Sequence, residues 1–305
     1  MTIAARCAAC DGTSLRPFFV GADWYLGAVG LEERFPYFRC TACGTVVAQP
    51  APTGETLERA YSNAYRPLGA PGRLERVFEP VARREARRVV CAGRPDGALL
   101  DVGCGPGRFL ARLRAVGWEG PMRGLEPDAV AAGRATELLG VPVRVGGVES
   151  LADEAPGLSA VVLRHVVEHV PQPLETLRAL RSLLAPDGVL YLGTPDARAL
   201  SAHLFGRYWH GYDPPRHLFA FTAPGLRELL RRAGFSVERE YWDFAPQMWT
   251  GSLHHALARG RNPRWASLLT SNLNPVAAVP AVIGATAEWA TRRSTMYAVV
   301  ARPDR

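Results

Sequence analysis

Residues 97–110 read Gly-Ala-Leu-Leu-Asp-Val-Gly-Cys-Gly-Pro-Gly-Arg-Phe-Leu. The apolar run ending at Asp101 predicts a short strand. Gly103, Gly105 and Gly107 predict a turn that a ligand can approach closely, and Phe109, Leu110, Leu113 and Val116 predict the inner face of a helix. A strand-to-helix crevice of this kind is where open α/β sheets bind nucleotides. The glycines are spaced x-Gly-x-Gly-x-Gly, not G-x-G-x-x-G, which sets a nicotinamide cofactor aside. Downstream, a second apolar strand ends at Gly124-Leu-Glu126-Pro127-Asp128. It puts the Glu126 carboxylate where both ribose hydroxyls of an adenosine-bearing ligand can donate to it. Val148-Glu149-Ser150-Leu151 then offers Glu149, in a loop after a strand, to an adenine amino group.

Upstream of this core, four cysteines fall as Cys7-x2-Cys10 and Cys40-x2-Cys43. Two such pairs have the spacing of metal knuckles that aim four thiolates at one tetrahedral Zn²⁺. A closed four-thiolate site has no open position, so the metal would fold the segment and not catalyse. Free thiols, disulfides and a redox pair are the other readings of the same spacing. Cys91 and Cys104 read as small buried hydrophobes. Between the knuckles, Phe18, Phe19, Trp24, Tyr25, Phe35, Tyr37 and Phe38 supply apolar bulk.

The whole chain is 305 residues with 48% hydrophobic and 21% charged residues, a globular composition able to bury a real core. All 36 basic residues are arginine, so Schiff-base chemistry and a P-loop lysine are both excluded. The net charge of +7 is spread as 0 over 1–50, +3 over 51–98, −2 over 99–200 and +6 over 201–305. The neutral cysteine segment lacks the positive surface that RNA binding demands. No apolar core precedes a cleavage site near the N-terminus, and the protein is expected to be cytoplasmic. Residues 273–290 are apolar but broken by Asn274, Pro275, Pro280 and Glu288, so they are too short to cross a bilayer. They read as a pocket lining or a membrane-surface contact.

The run LLDVGCGPGRFL at 99–110 resembles the first motif of the class I S-adenosylmethionine-dependent methyltransferases, and Glu126 matches their second-strand acid. The run VVLRHVVEHVPQPLETLRALRSLLAPDGVLYLGTPD at 161–196 is similar to the fourth strand, helix and fifth strand of the ubiquinone-biosynthesis-type subgroup. The resemblance covers about 97–242, with a last strand at 295–301. It implies an α/β fold: a Rossmann-like seven-stranded sheet with one late antiparallel strand, preceded by a small zinc ribbon. The domain plan that follows is a ribbon at 1–50, a linker and helical lid at 51–96 with a helix at 73–91, and a methyltransferase domain at 97–305. Insertions fall at about 197–222 and 243–294. The implied cofactor is S-adenosylmethionine, leaving as S-adenosylhomocysteine. Its implied contacts are Asp101 near the methionine end, Gly103, Gly105 and Gly107 in the loop, and Glu126, Pro127, Glu149 and Arg164.

Methyl transfer to a hydroxyl or an acidic carbon needs a base, and histidines are the natural candidates. His217, in the aromatic segment Arg207–Phe221, is the first choice, followed by His210 and by His165, which with His169 flanks Glu168. Arg216 and His217 could instead pin that segment by hydrogen bonds. The second insertion brings Trp249, His254, His255 and Trp265, which suggest an apolar or aromatic-lined pocket and not a metal site. The expected activity is O-methylation of a small biosynthetic intermediate. The alternatives are C-methylation of a sugar or aromatic scaffold, methylation of an rRNA or tRNA base, and a non-enzymatic S-adenosylmethionine-binding scaffold. Oligomeric state is not legible.

Overall fold

A computed structural model describes residues 6–24, 33–61, 73–258 and 275–304. Tyr25, Trp265 and the whole of the 62–72 stretch of the linker lie outside the described residues. In chain order the elements are β1 (Leu15–Gly21), β2 (Phe35–Cys40), β3 (Val46–Ala48), α1 (Gly54–Ala60), α2 (Arg73–Ala92), β4 (Leu99–Val102), α3 (Arg108–Ala115) and β5 (Met122–Glu126). They continue with α4 (Ala129–Leu139), β6 (Val143–Val145), β7 (Leu158–Arg164), α5 (Pro173–Leu183), β8 (Leu184–Pro195) and α6 (Leu200–Phe205). The last are β9 (Phe219–Ala220), α7 (Ala223–Arg232), β10 (Phe235–Asp243), α8 (Pro246–Ala258), α9 (Pro275–Ala290) and β11 (Met296–Pro303). None of the described helices is long and apolar enough to cross a membrane.

The chain forms two compact units, and they cut across its linear order. One unit comprises Met1–Leu74, Pro195–Glu228 and Trp242–Tyr297. The other comprises Glu75–Thr194, Leu229–Tyr241 and Ala298–Arg305. Each is therefore built from three separate stretches of the chain.

The second unit carries a mixed seven-stranded sheet of order β10-β11-β8-β7-β4-β5-β6. β4 pairs in parallel with β5 on one side and β7 on the other, Asp101 lying beside Gly124 and Val162. The chain leaves β4 for β5 and β6, then returns to β7 across β4. The carboxyl ends of β4 and β7 thus flank the switch point where such sheets bind ligands. β4 is buried throughout, as expected of a parallel strand covered on both faces. Its core joins Ala86 and Val89 of α2, Phe109, Leu110 and Leu113 of α3, Val162 of β7, Tyr191 of β8 and Val300 of β11.

The first unit holds a four-stranded sheet of order β1-β2-β3-β9, antiparallel throughout. The ribbon around the cysteines is completed by β9, which pairs Phe219 with Val47 and Ala220 with Val46. A second core gathers Phe35, Tyr37, Val46, Trp209, Tyr212 and Ala220. The segment expected as a roofing loop is core here: residues 211–223 are buried throughout. Its aromatic side chains supply that apolar bulk, and its backbone runs through two 3₁₀ turns and a cis Pro214–Pro215 bond.

Candidate active site and cysteine cluster

The turn after β4 is shaped by its glycines. Gly103, Gly105 and Gly107 have φ of 68°, 53° and 79°, which L side chains rarely adopt. At Gly103 a Cβ would also meet Val166 Cγ2 at 2.4 Å, so this glycine serves packing. At Gly105 a Cβ would meet nothing within 4 Å. Conformation, not space, demands glycine there, and the open side of the turn leaves room for a ligand. The backbone N–H of Gly105 donates to Glu126 Oε2 at 2.8 Å, and that of Asp128 donates to Glu126 Oε1 at 3.0 Å. The second-strand acid is thereby tied to the glycine turn. Asp128, next to it, caps α4 by accepting from Val130 and Ala131, and Pro127 between them is exposed. Glu149 sits in a 3₁₀ turn at Val148–Leu151 and accepts from the N–H of Gly147 at 3.2 Å.

Burial raises both inner carboxyls. Burial pushes Asp101 up to about 7; Arg164 pulls it back and Glu126 pushes it further. Glu126 is also raised by burial, against the two amides that stabilise its charge. Arg164 ends β7 and is clamped, its Nη2 donating to Glu85 Oε2 of α2 at 2.6 Å and its guanidinium lying 4.2 Å from the Phe109 ring centroid. Sequence reading named Arg164 and missed Glu85, because α2 lies outside the motif. His165 follows with a φ of 56°. Its N–H donates to the Gly193 carbonyl at 2.9 Å, and its Nδ1 is 3.5 Å from Glu168 Oε1.

The second unit therefore holds Asp101, the three glycines, Glu126, Pro127, Glu149, Arg164 and His165; of these, Glu126 is bonded to the turn at Gly105, and Asp101 feels the charges of Arg164 and Glu126. His210 and His217 belong to the first unit. His217 Nδ1 donates to the Gly211 carbonyl at 2.8 Å, and the Tyr37 hydroxyl donates to the His217 carbonyl at 2.9 Å. Because a carbonyl only accepts, this bond puts the proton on Nδ1 and the lone pair of the neutral ring on Nε2. The His210 N–H donates to Ser252 Oγ, and its ring lies 5.1 Å from that of His255. Burial, followed by the neighbouring His210, pushes the pKa of His255 well down.

Beside these histidines lies a fully buried ion triad. Arg216 Nη1 and Nη2 donate to Asp23 at 2.8 and 3.0 Å, Nε and Nη2 donate to Asp213 at 3.0 and 2.8 Å, and Nη1 also donates to the Ala60 carbonyl at 3.2 Å. All five guanidinium N–H bonds are used. Burial would raise the Asp213 carboxyl, but the Arg216 charge overrides it and holds the group well below the usual range. Arg216 thus ties the central segment to the ribbon and to the end of α1. Its partner Asp23, 193 residues away, carries no local signal in the sequence.

The sulfurs of Cys7, Cys10, Cys40 and Cys43 all lie within 4.8 Å of one another, with Cys7–Cys43 and Cys10–Cys40 each 3.6 Å apart. The donor set fits a thiophilic cation. Its backbone agrees: Asp11 and Gly44 close the two turns with positive φ, and a Cβ on Gly12 would crowd Cys10 Sγ at 3.2 Å and Cys40 Sγ at 3.3 Å. Behind the cluster, Thr222 Oγ1 donates to the Cys43 carbonyl and Gly225 packs against Thr45.

A family model described as a methyltransferase domain matches residues 73–240, over half of the chain. Ubiquinone biosynthesis O-methyltransferase of Xanthomonas campestris pv. campestris (strain B100) is 40% identical over 104 residues, 33% of this chain and 44% of that protein. The chain thus spans less than half of that relative's length. The protein of the same name from Xanthomonas euvesicatoria pv. vesicatoria (strain 85-10) is 35% identical over 191 residues, 57% of this chain and 73% of that one. Among solved structures, the [4+2]-cyclase SpnF is similar with a TM-score of 0.52 at 17% identity, covering 78% of this chain and 85% of its own. Coclaurine N-methyltransferase, bound to N-methylheliamine and SAH, gives 0.51 at 13% identity, covering 77% and 75%. These two show the fold. The family match and the Xanthomonas euvesicatoria relative show that the chain belongs to the methyltransferase-domain family, of the class I S-adenosylmethionine-dependent type.

Proposed function

We propose that the protein transfers a methyl group from S-adenosylmethionine to a hydroxyl of a small biosynthetic intermediate. The observation that carries the reading is the tie between Glu126 and the Gly105 amide at the switch point of the sheet, beside a turn whose open side a Cβ at Gly105 would not fill. When bound, S-adenosylmethionine supplies an electrophilic sulfonium methyl and leaves as S-adenosylhomocysteine. In this reading Asp101 accepts from the cationic methionine end, Glu126 accepts from the ribose hydroxyls, Gly103, Gly105 and Gly107 line the turn, and Pro127 and Glu149 border the adenine. Arg164, fixed by Glu85, steadies the charge of Asp101. The O-methyltransferase relatives support oxygen as the acceptor atom.

His217 is the proposed base, with Nε2 taking the hydroxyl proton in the tautomer that the Gly211 carbonyl imposes. His210 and His165 are the next candidates. Zinc is the proposed metal of the cysteine cluster. A tetrahedron with Zn–S of about 2.3 Å has sulfurs about 3.8 Å apart, close to the 3.6 Å of two pairs here.

The test supplies radiolabelled S-adenosylmethionine and host-cell extract to the metal-loaded protein, then separates small molecules, RNA and protein. Label in a small molecule that resists ribonuclease, lost in Asp101→Asn and Glu126→Gln, is the expected result. Label that ribonuclease removes would overturn the reading. Elemental analysis should find one zinc per chain, lost in Cys40→Ser.

A further inference from the structure

The helix α9 is built inside out. Ala277, Ala281 and Ala285 are buried and Gly284 lies against the Trp249 ring of α8, while the large apolar side chains point outward. Val276 is 72% and Ile283 65% exposed, and Val279, Val282 and Trp289 are about half exposed. A surface helix ordinarily turns its apolar stripe to the core. Among the exposed positions from 276 to 289 only Thr286 is polar, and its hydroxyl donates back to the Val282 carbonyl. The neighbouring α6 adds Leu204, 66% exposed, and Leu200.

The two helices form one firm platform. Glu288, fully buried, accepts from the Ser201 N–H at 2.7 Å and from the Thr295 N–H and hydroxyl at 3.4 and 3.3 Å. Ser201 Oγ in turn accepts from Trp209 Nε1 at 3.0 Å. The Leu200 N–H donates to the Arg293 carbonyl, and Arg293 Nε donates to that of Arg198. Arg198, Arg207, Arg292 and Arg293 are all exposed, whereas Asp196 and Glu288, the sole carboxylates in 195–209 and 276–293, are buried.

We propose that α9 and α6 dock the protein on an anionic lipid bilayer, with α9 lying in the plane of the interface. Sixteen helical residues reach about 24 Å, short of the ~30 Å hydrocarbon core, so the helix rests on the membrane and does not span it. Valine, isoleucine and leucine enter the acyl boundary, Trp289 suits the headgroup level, and the arginines meet anionic phosphates. A second copy of the chain is the poorer occupant. It would set one arginine rim against another with no exposed carboxylate in either patch to answer it.

The test floats the full-length protein with vesicles of phosphatidylcholine, alone or mixed with phosphatidylglycerol. The protein should rise with the anionic vesicles and lose most of that binding at high salt. Val279→Asp with Ile283→Asp should abolish flotation. Arg198→Gln with Arg292→Gln should weaken it roughly tenfold or more. Thermal melting should be unchanged in both variants, since every altered side chain is exposed. Equal recovery with both vesicle types, or recovery with neither, overturns the proposal. So does a lipid-free dimer that Ile283→Asp dissociates, which would give the face to a second copy.

Discussion

Asp101 titrates close to neutrality, and that makes two pH effects measurable. Its folded pKa of about 7 lies above the ~3.9 of an unfolded chain. The native state therefore binds more protons between these values, and stability falls as pH rises through that window. Asp101→Asn should flatten this slope in ligand-free urea melts. If Asp101 faces the cationic end of the cofactor as proposed, its charged form is favoured on binding, so affinity should tighten from about pH 6 to about pH 8 and a proton should be released, read by calorimetry in two buffers. In Asp101→Asn both signals should vanish. At His217, asparagine can replace the Nδ1–H bond to Gly211 but cannot accept a proton. As a base, His217→Asn should lose about 10²–10⁴-fold in kcat with its melting curve intact; near-normal turnover would leave His217 only its pinning role. Arg216→Met strands two buried carboxylates and should cost about 3–5 kcal/mol in urea unfolding, with partial recovery when Asp23→Asn and Asp213→Asn are added. At this scale, the positions of Asp101 and Glu126 at the ends of strands were legible because each closes a short apolar run before a turn. Glu85 and Asp23 were not, since a buried ion pair is set by tertiary neighbours that no local spacing encodes.

Among the elements, the turn between β4 and α3 offers the sharpest comparison. Gly105→Ala meets no atom, so its penalty is the left-handed backbone alone, about 1–2 kcal/mol in thermal unfolding, while cofactor binding should suffer far more. Gly103→Ala adds a clash with Val166 and should lose stability and binding together. The hydrophobic period made most of these elements readable, including α2 and β11, which lie within a residue or two of their expected spans. β9 escaped notice for a physical reason. A two-residue strand is too short to show alternation, and Phe219 and Ala220 read as loop until β3 is beside them. The segment 207–221 is largely irregular backbone as read, but its burial was not legible, because prolines and glycine signal a loop whether the chain runs outside a core or through one.

For the whole molecule, the metal proposed for the cysteines should hold more than the ribbon. β3 pairs with β9, and Trp209 shares a core with Val46 and Ala48, so chelation should unfold both together. A red shift in the emission of buried Trp209, which lies in the same unit as Trp24, Trp242, Trp249 and Trp289, would report that loss, and an unchanged spectrum would confine the metal's effect to the knuckles. The compact units were the least legible feature. Composition and linkers mark where a chain changes character, not which distant stretches close on one another.

The interleaving of the first unit also sets an order of events during synthesis. Cys43 leaves the ribosome about 175 residues before Phe219 supplies the fourth strand, a wait on the order of ten to thirty seconds at ordinary translation rates. For that interval the nascent ribbon has an unpaired edge and four thiols within reach of oxidants. Early capture of a cation would turn those thiols into inert ligands and hold the edge in register for a partner still being made. A metal-starved cell should then lose this protein through oxidised, edge-paired aggregates of newly made chains, while molecules completed beforehand persist.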